Sequence, residues 1–93
     1  MAINEIRKDI IVQNKTGLHA RPAALFVQIA NKYDSEITII KGKQAVNGKS
    51  IMGILMLAAE KGAKISIIAK GEDAEGAIEE LTHILSNDID NMK

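Results

Sequence analysis

Gly17-Leu18-His19-Ala20-Arg21-Pro22-Ala23-Ala24 is the stretch where strand character gives way to helix character, and it fixes how the rest of the chain is read. A helix beginning near Ala20 leaves its first backbone N–H groups without partners and carries partial positive charge at that end. An anion held on the preceding side chain is therefore stabilised there. His19 is that side chain. Pro22 falls in the first turn, where a missing N–H costs nothing and a fixed φ stiffens the chain that aims the imidazole. Arg21 adds a permanent charge and a planar fork of donors suited to phosphate oxygens. The positive helix end disfavours an imidazolium, which suits His19 to act as a neutral nucleophile. The stretch outlines a phosphoryl acceptor in an anion cradle. A bare His-x-Arg is more commonly a capping histidine beside an arginine paired with a carboxylate, so the surroundings have to decide.

Before this stretch, Glu5 to Gln13 reads as a strand with Ile6, Ile10 and Val12 on one face and Arg7, Asp9 and Gln13 on the other. Lys8 interrupts the apolar face and suggests a sheet edge. Asn14-Lys15-Thr16-Gly17 is turn chemistry. After His19, Phe26, Ile29, Ala30 and Tyr33 recur at helical spacing and predict an apolar stripe facing a sheet, ended by Asp34-Ser35. Ile37 and Ile39 then alternate with Glu36 and Thr38, and Lys41-Gly42-Lys43 turns the chain into a short strand around Ala45-Val46-Asn47, making a hairpin.

Ser50 is placed to cap a short helix running through Leu57. Ile51, Met52, Ile54, Leu55, Met56 and Leu57 leave that helix almost no polar face. A helix so short on a small domain cannot bury them all, and some are expected at the surface for a partner. Gly62 is expected to close this region. Ile65, Ile67 and Ala69 then alternate with Lys64, Ser66, Ile68 and Lys70 as a fourth strand, and Gly71 turns the chain. Asp73 is expected to cap a last helix whose stripe is Ala77, Ile78, Leu81, Ile84 and Leu85, with His83 off the stripe and facing solvent. The tail from Asn87 to Lys93 is polar and expected to fray. The order β-α-β-β-α-β-α, with amphipathic helices able to cover one face of an antiparallel sheet, predicts an α+β two-layer sandwich.

Ninety-three residues suit one domain with one modest core. Twelve basic and twelve acidic residues cancel, so no general field draws nucleic acid or an anionic membrane, and a partner must be met through a local patch. One Phe and one Tyr offer little for stacking on bases. No cysteine, no spanning apolar run and no signal peptide is seen, which reads as a cytoplasmic chain without membrane insertion. Two histidines far apart, without acidic neighbours at ligand spacing, make a poor metal site, and no nucleotide or other cofactor motif occurs.

Two separated segments resemble one family. Thr16-Gly-Leu-His19-Ala-Arg21-Pro-Ala-Ala24 is similar to the active-site loop of the HPr phosphocarriers of the bacterial phosphoenolpyruvate-dependent sugar phosphotransferase system. Asn47-x-Lys49-Ser50-Ile51-Met52-Gly53 is similar to the second signature of that family, which carries a regulatory serine in members from Gram-positive-type bacteria. The likeness runs from about Ile6 to about Leu85. It implies an open-faced β-sandwich, a four-stranded antiparallel sheet with three helices on one face. It also implies that His19 is phosphorylated by Enzyme I from phosphoenolpyruvate and passes the group to sugar-specific IIA proteins or domains, with Arg21 assisting and no metal required. The carrier is then a phosphotransfer intermediate rather than an enzyme. Ser50 becomes the site of regulatory phosphorylation by an HPr kinase/phosphorylase, read by a catabolite-control transcription factor. Ile51, Met52 and Leu55, with Ala20 and Ala24 beside the histidine, become an apolar docking surface, while Arg21 and Lys49 meet acidic groups on partners. Some relatives lack the active histidine and act only as serine-phosphorylated regulators in carbon catabolite control, which is the alternative reading.

Overall fold

In the computed structural model, residues 4–15 and 17–86 are described. Among them the order is β1 (Glu5–Ile11), α1 (Ala20–Ala30), β2 (Glu36–Lys41), β3 (Gln44–Asn47), α2 (Ile51–Met56), β4 (Lys64–Lys70) and α3 (Ala74–Ser86). The strands form one antiparallel sheet in the order β1-β4-β2-β3. This is the expected open-faced α+β arrangement. β1 is an edge strand, which explains how Lys8 is tolerated opposite Ile67 on the face that the helices cover. β1 is shorter than the sequence suggests, because Val12 and Gln13 leave the ladder and donate instead to the carbonyls of Ala63 and Leu85.

The period of two in β2 and β4 puts Ile37, Ile39, Ile65, Ile67 and Ala69 on one face, and all five are buried. Ala23, Phe26 and Ala30 of α1 and the predicted stripe Ala77, Ile78, Leu81, Ile84 and Leu85 of α3 join them in one cluster. Phe26 has no exposed surface, and burying a side chain of that size is worth roughly 1.5–3 kcal/mol. The other face of the sheet is open and polar toward β1. There the Ser66 hydroxyl donates to Asp9 at 2.6 Å, and Arg7 donates to both, at 3.0 Å to Ser66 and 3.2 Å to Asp9.

Four sequence expectations need correction. Tyr33 lies beyond the end of α1 and is half-buried. Its hydroxyl donates to Glu80 of α3, which pushes the phenol up to about 12. Asp73 does precede α3, but its carboxylate reaches back to the end of the α1–β2 connection, accepting from the Asp34 and Ser35 N–H groups and from the Ser35 hydroxyl. α2 ends as expected, at Met56 with Leu57 as its C-cap, but the helical region closes there rather than at Gly62, and Ala58 follows in the left-handed region at φ 49°. Lys49 is turned inward, as set out below. The expectations for Thr16 and for the tail from Asn87 to Lys93 fall outside the described residues.

Candidate functional site

His19 occupies the N-cap position of α1 with extended backbone angles, and its carbonyl accepts from Ala23 N–H at 2.9 Å to close the first helical turn. Its side chain makes no cap hydrogen bond and is exposed. That removes the reading of His19 as a capping residue. The next positions are Ala20, Arg21 and Pro22, and Pro22 takes one of the places where a helix has no internal use for an N–H. Pro22 and Ala23 are buried, which anchors the first turn in the core, while Ala20 and Arg21 are exposed. Among the described residues no carboxylate forms a salt bridge with Arg21. No acidic side chain lies in the first turn either, so the positive end of α1 is not neutralised from within its own helix.

The loop reaches His19 through a close approach. Gly17 has φ 75°, and a side chain there would run into the carbonyl of Ala59 and the Cα of Glu60. Leu18 is buried, and its N–H donates to Ala59 O at 2.8 Å. The His19 loop is thus fastened to the segment that follows α2.

Ser50 is the N-cap of α2, and its hydroxyl accepts from Gly53 N–H at 3.1 Å, as the sequence suggests. α1 and α2 pack against each other, so the second signature segment lies beside the first. Ile54 and Leu57 of this region are buried, whereas Ile51, Met52 and Met56 are 43%, 67% and 65% exposed. The surplus of apolar residues is therefore resolved as expected, half toward the core and half toward solvent. Leu55 is half-buried against the core and Ala24 is half-buried, so both are smaller parts of the surface than Met52. Met56 is a member the spacing argument did not single out, although its place one turn after Met52 could have marked it. Lys49 differs from expectation. Its ammonium donates to the carbonyl of Tyr33 at 2.6 Å and is half-buried, which ties the start of α2 to the end of α1 and leaves Arg21 as the more available cation.

Among the described residues, no group of three or more His, Cys, Asp or Glu side chains is arranged to hold a metal ion, and no helix is long and apolar enough to cross a membrane.

Comparison with known proteins bears on this arrangement. Residues 6–87 match the family model for the PTS HPr component phosphorylation site, a span that includes both signature segments. The chain is 43% identical over 84 residues to the HPr-like protein Crh of Bacillus subtilis, covering 90% of this chain and 99% of that one. It is 39% identical over 80 residues to the phosphocarrier protein HPr of Treponema pallidum, covering 86% and 91%. The crystal structure of a phosphocarrier protein HPr from Bacillus anthracis superposes with a TM-score of 0.84 at 48% identity, covering 87% of this chain and 96% of that one. Fold, both signature segments and overall identity agree, and the chain belongs to the HPr family of the phosphotransferase system.

Proposed function

We propose that the protein is a phosphocarrier in which His19 accepts a phosphoryl group from phosphorylated Enzyme I and hands it to IIA proteins or domains. The observation that carries this reading is an exposed imidazole at the N-cap of α1 whose side chain takes no part in capping, followed two residues later by an exposed Arg21. In the forward step an imidazole nitrogen forms its bond to phosphorus as the bond to Enzyme I breaks, and the reverse exchange occurs at the IIA nucleophile. The phosphoryl oxygens fall to the first N–H groups of α1 and to the guanidinium of Arg21, which offer fixed donors without reorganisation. Ala20, Ile51 and Met52, with lesser contributions from Ala24 and Leu55, form the docking surface, and Met56 extends it. On this reading the protein is a cytoplasmic phosphotransfer intermediate rather than an enzyme.

Ser50 is the regulatory site in this reading. Added negative charge at the N-terminus of α2 suits the helix, so the fold persists. Next to Ile51 and Met52, however, a dianion desolvates poorly on docking and repels the acidic partner that Arg21 attracts. The writer of the mark would be an HPr kinase/phosphorylase and its reader a catabolite-control transcription factor. A second reading, a serine-phosphorylated regulator that transfers nothing through His19, is favoured by the 43% identity to Crh. His19 and Arg21 count against it. The test is to incubate the protein with phosphoenolpyruvate and Enzyme I, then add a IIA domain. The carrier reading expects label to appear on the protein and move to IIA, while label on neither supports the regulator.

A further inference from the structure

We propose that Lys41 and Gln44, which flank the turn of the β2–β3 hairpin, are positioning residues for the His19 loop and act through the turn that follows α2. The proposal rests on the reading of His19 as phosphoryl acceptor.

When α2 ends at Met56, its last carbonyls have no helical N–H to accept from. Four successive carbonyls are satisfied one by one from outside. Met56 O accepts from the Gln44 amide at 3.3 Å, Leu57 O and Ala58 O accept from the Lys41 ammonium at 3.1 and 3.3 Å, and Ala59 O accepts from Leu18 N–H at 2.8 Å. A cation suits the negative end of a helix, so the ammonium is attracted to this place by charge as well as by hydrogen bonds. Lys41 and Gln44 are directly paired across the hairpin, and the two-residue turn between them has Gly42 at φ 61°. Both side chains are thereby held on a rigid support.

Ala58 is the weak link in this run. At φ 49° it sits in a conformation that alanine rarely adopts and that persists only where its surroundings impose it. The Lys41 ammonium bridges the carbonyls on both sides of its φ and ψ bonds, Leu57 O and Ala58 O, and so holds that conformation. Without the bridge, Ala58 can relax toward ordinary angles, and the following carbonyl, Ala59 O, turns away from Leu18. Leu18 is the residue before His19, and Gly17 is packed against the same carbonyl. The hairpin thus sets where the imidazole sits at the mouth of α1 through the backbone link from Ala58 and Ala59 to Leu18.

The test uses the full chain with Lys41→Met, Lys41→Arg and Gln44→Ala, and two readouts. One is amide hydrogen exchange of Leu18 in the isolated protein, referenced to Ile67 in the middle of β4 as a reporter of global opening. The other is the rate of His19 phosphorylation by Enzyme I, separated into kcat and KM. Lys41→Met is expected to speed Leu18 exchange about five-fold relative to Ile67 and to lower kcat by a similar factor, the size of one net hydrogen bond. Gln44→Ala should shift both the same way but less, and Lys41→Arg should restore both. Unchanged relative exchange at Leu18 in Lys41→Met, with or without a rise in KM, overturns the proposal by making Lys41 at most a docking charge. Faster exchange with unchanged kcat overturns it as well. A wild-type protein that takes up no phosphate contradicts the reading of His19, and Leu18 exchange then decides the linkage by itself.

Discussion

The N-termini of α1 and α2 lie on neighbouring helices and use their cap residues in opposite ways. At α1 the N-cap is His19, whose side chain makes no cap bond, and the first turn carries no acidic residue. At α2 the N-cap is Ser50, whose hydroxyl accepts from Gly53 N–H. The first end is built by Pro22 and Ala23 packing beneath it and by Gly17 and Leu18 fastening the loop to Ala59, so the helix start does not depend on a cap bond from the imidazole. The second end depends on its own side chain. A six-residue helix is only about 9 Å long, so a charge placed on Ser50 remains within reach of a partner covering Met52 and Met56. The contrast separates a position whose change should alter function alone from one whose change should alter stability as well.

The largest effect short of removing the nucleophile is expected for Arg21→Ala. Losing one charge-assisted donor worth roughly 1.5–3 kcal/mol should slow phosphorylation of His19 by about ten-fold or more. Thermal unfolding should shift by less than about 0.5 kcal/mol, because the side chain is exposed and outside any described salt bridge. Ser50→Asp should come next, folding normally but accepting phosphate from fixed Enzyme I several-fold more slowly than Ser50→Ala, by roughly the few-fold expected from one misplaced rim charge. Equal rates for the two variants would remove the regulatory role. Ser50→Ala inverts the pattern of Arg21→Ala: it should retain transfer while losing about 1 kcal/mol of stability, read from urea midpoints, as a lost N-cap does.

α3 supplies a third case, with a carboxylate at its N-terminal boundary. The Ser35 hydroxyl and the Asp34 N–H hold the Asp73 carboxyl below its ordinary value. A carboxylate with a depressed folded-state value contributes stability that is complete above the ordinary carboxylate range and is lost as pH falls through and below that range. Asp73→Asn should therefore show a smaller drop in urea midpoint between pH 7 and pH 3 than the parent protein. An unchanged drop would mean that the clasp to Ser35 does not bear on acid stability.

What could be read from the sequence was periodic or local. Ile65, Ile67 and Ala69 at period two and Ala77, Ile78, Leu81, Ile84 and Leu85 at helical spacing sit where the pattern puts them, because burial on one face is what the pattern encodes. His19 and Ser50 were placed at helix starts by local chemistry, and both occupy N-cap positions. The features that escaped are those in which a side chain satisfies a group distant in sequence. Asp73 reaches to Ser35, Lys49 to the carbonyl of Tyr33, and Lys41 to Leu57 and Ala58. Spacing rules describe neighbours on one element and say nothing of such contacts, which exist only after the sheet order β1-β4-β2-β3 has brought the partners together. The left-handed Ala58 was hidden for the same reason, since nothing local favours it.

Phosphoryl transfer through this protein turns on His19 as the acceptor, and the most direct measurement is the chemistry of the phosphate acquired from phosphoenolpyruvate and Enzyme I by the wild type and by His19→Ala. Wild-type label should be lost in acid and kept in base, as a phosphoramidate is. The His19→Ala variant should take up none while unfolding within about 0.5 kcal/mol of the wild type, because the side chain is exposed and makes no cap bond. Full labelling of His19→Ala, or wild-type label that survives acid, would contradict the assignment.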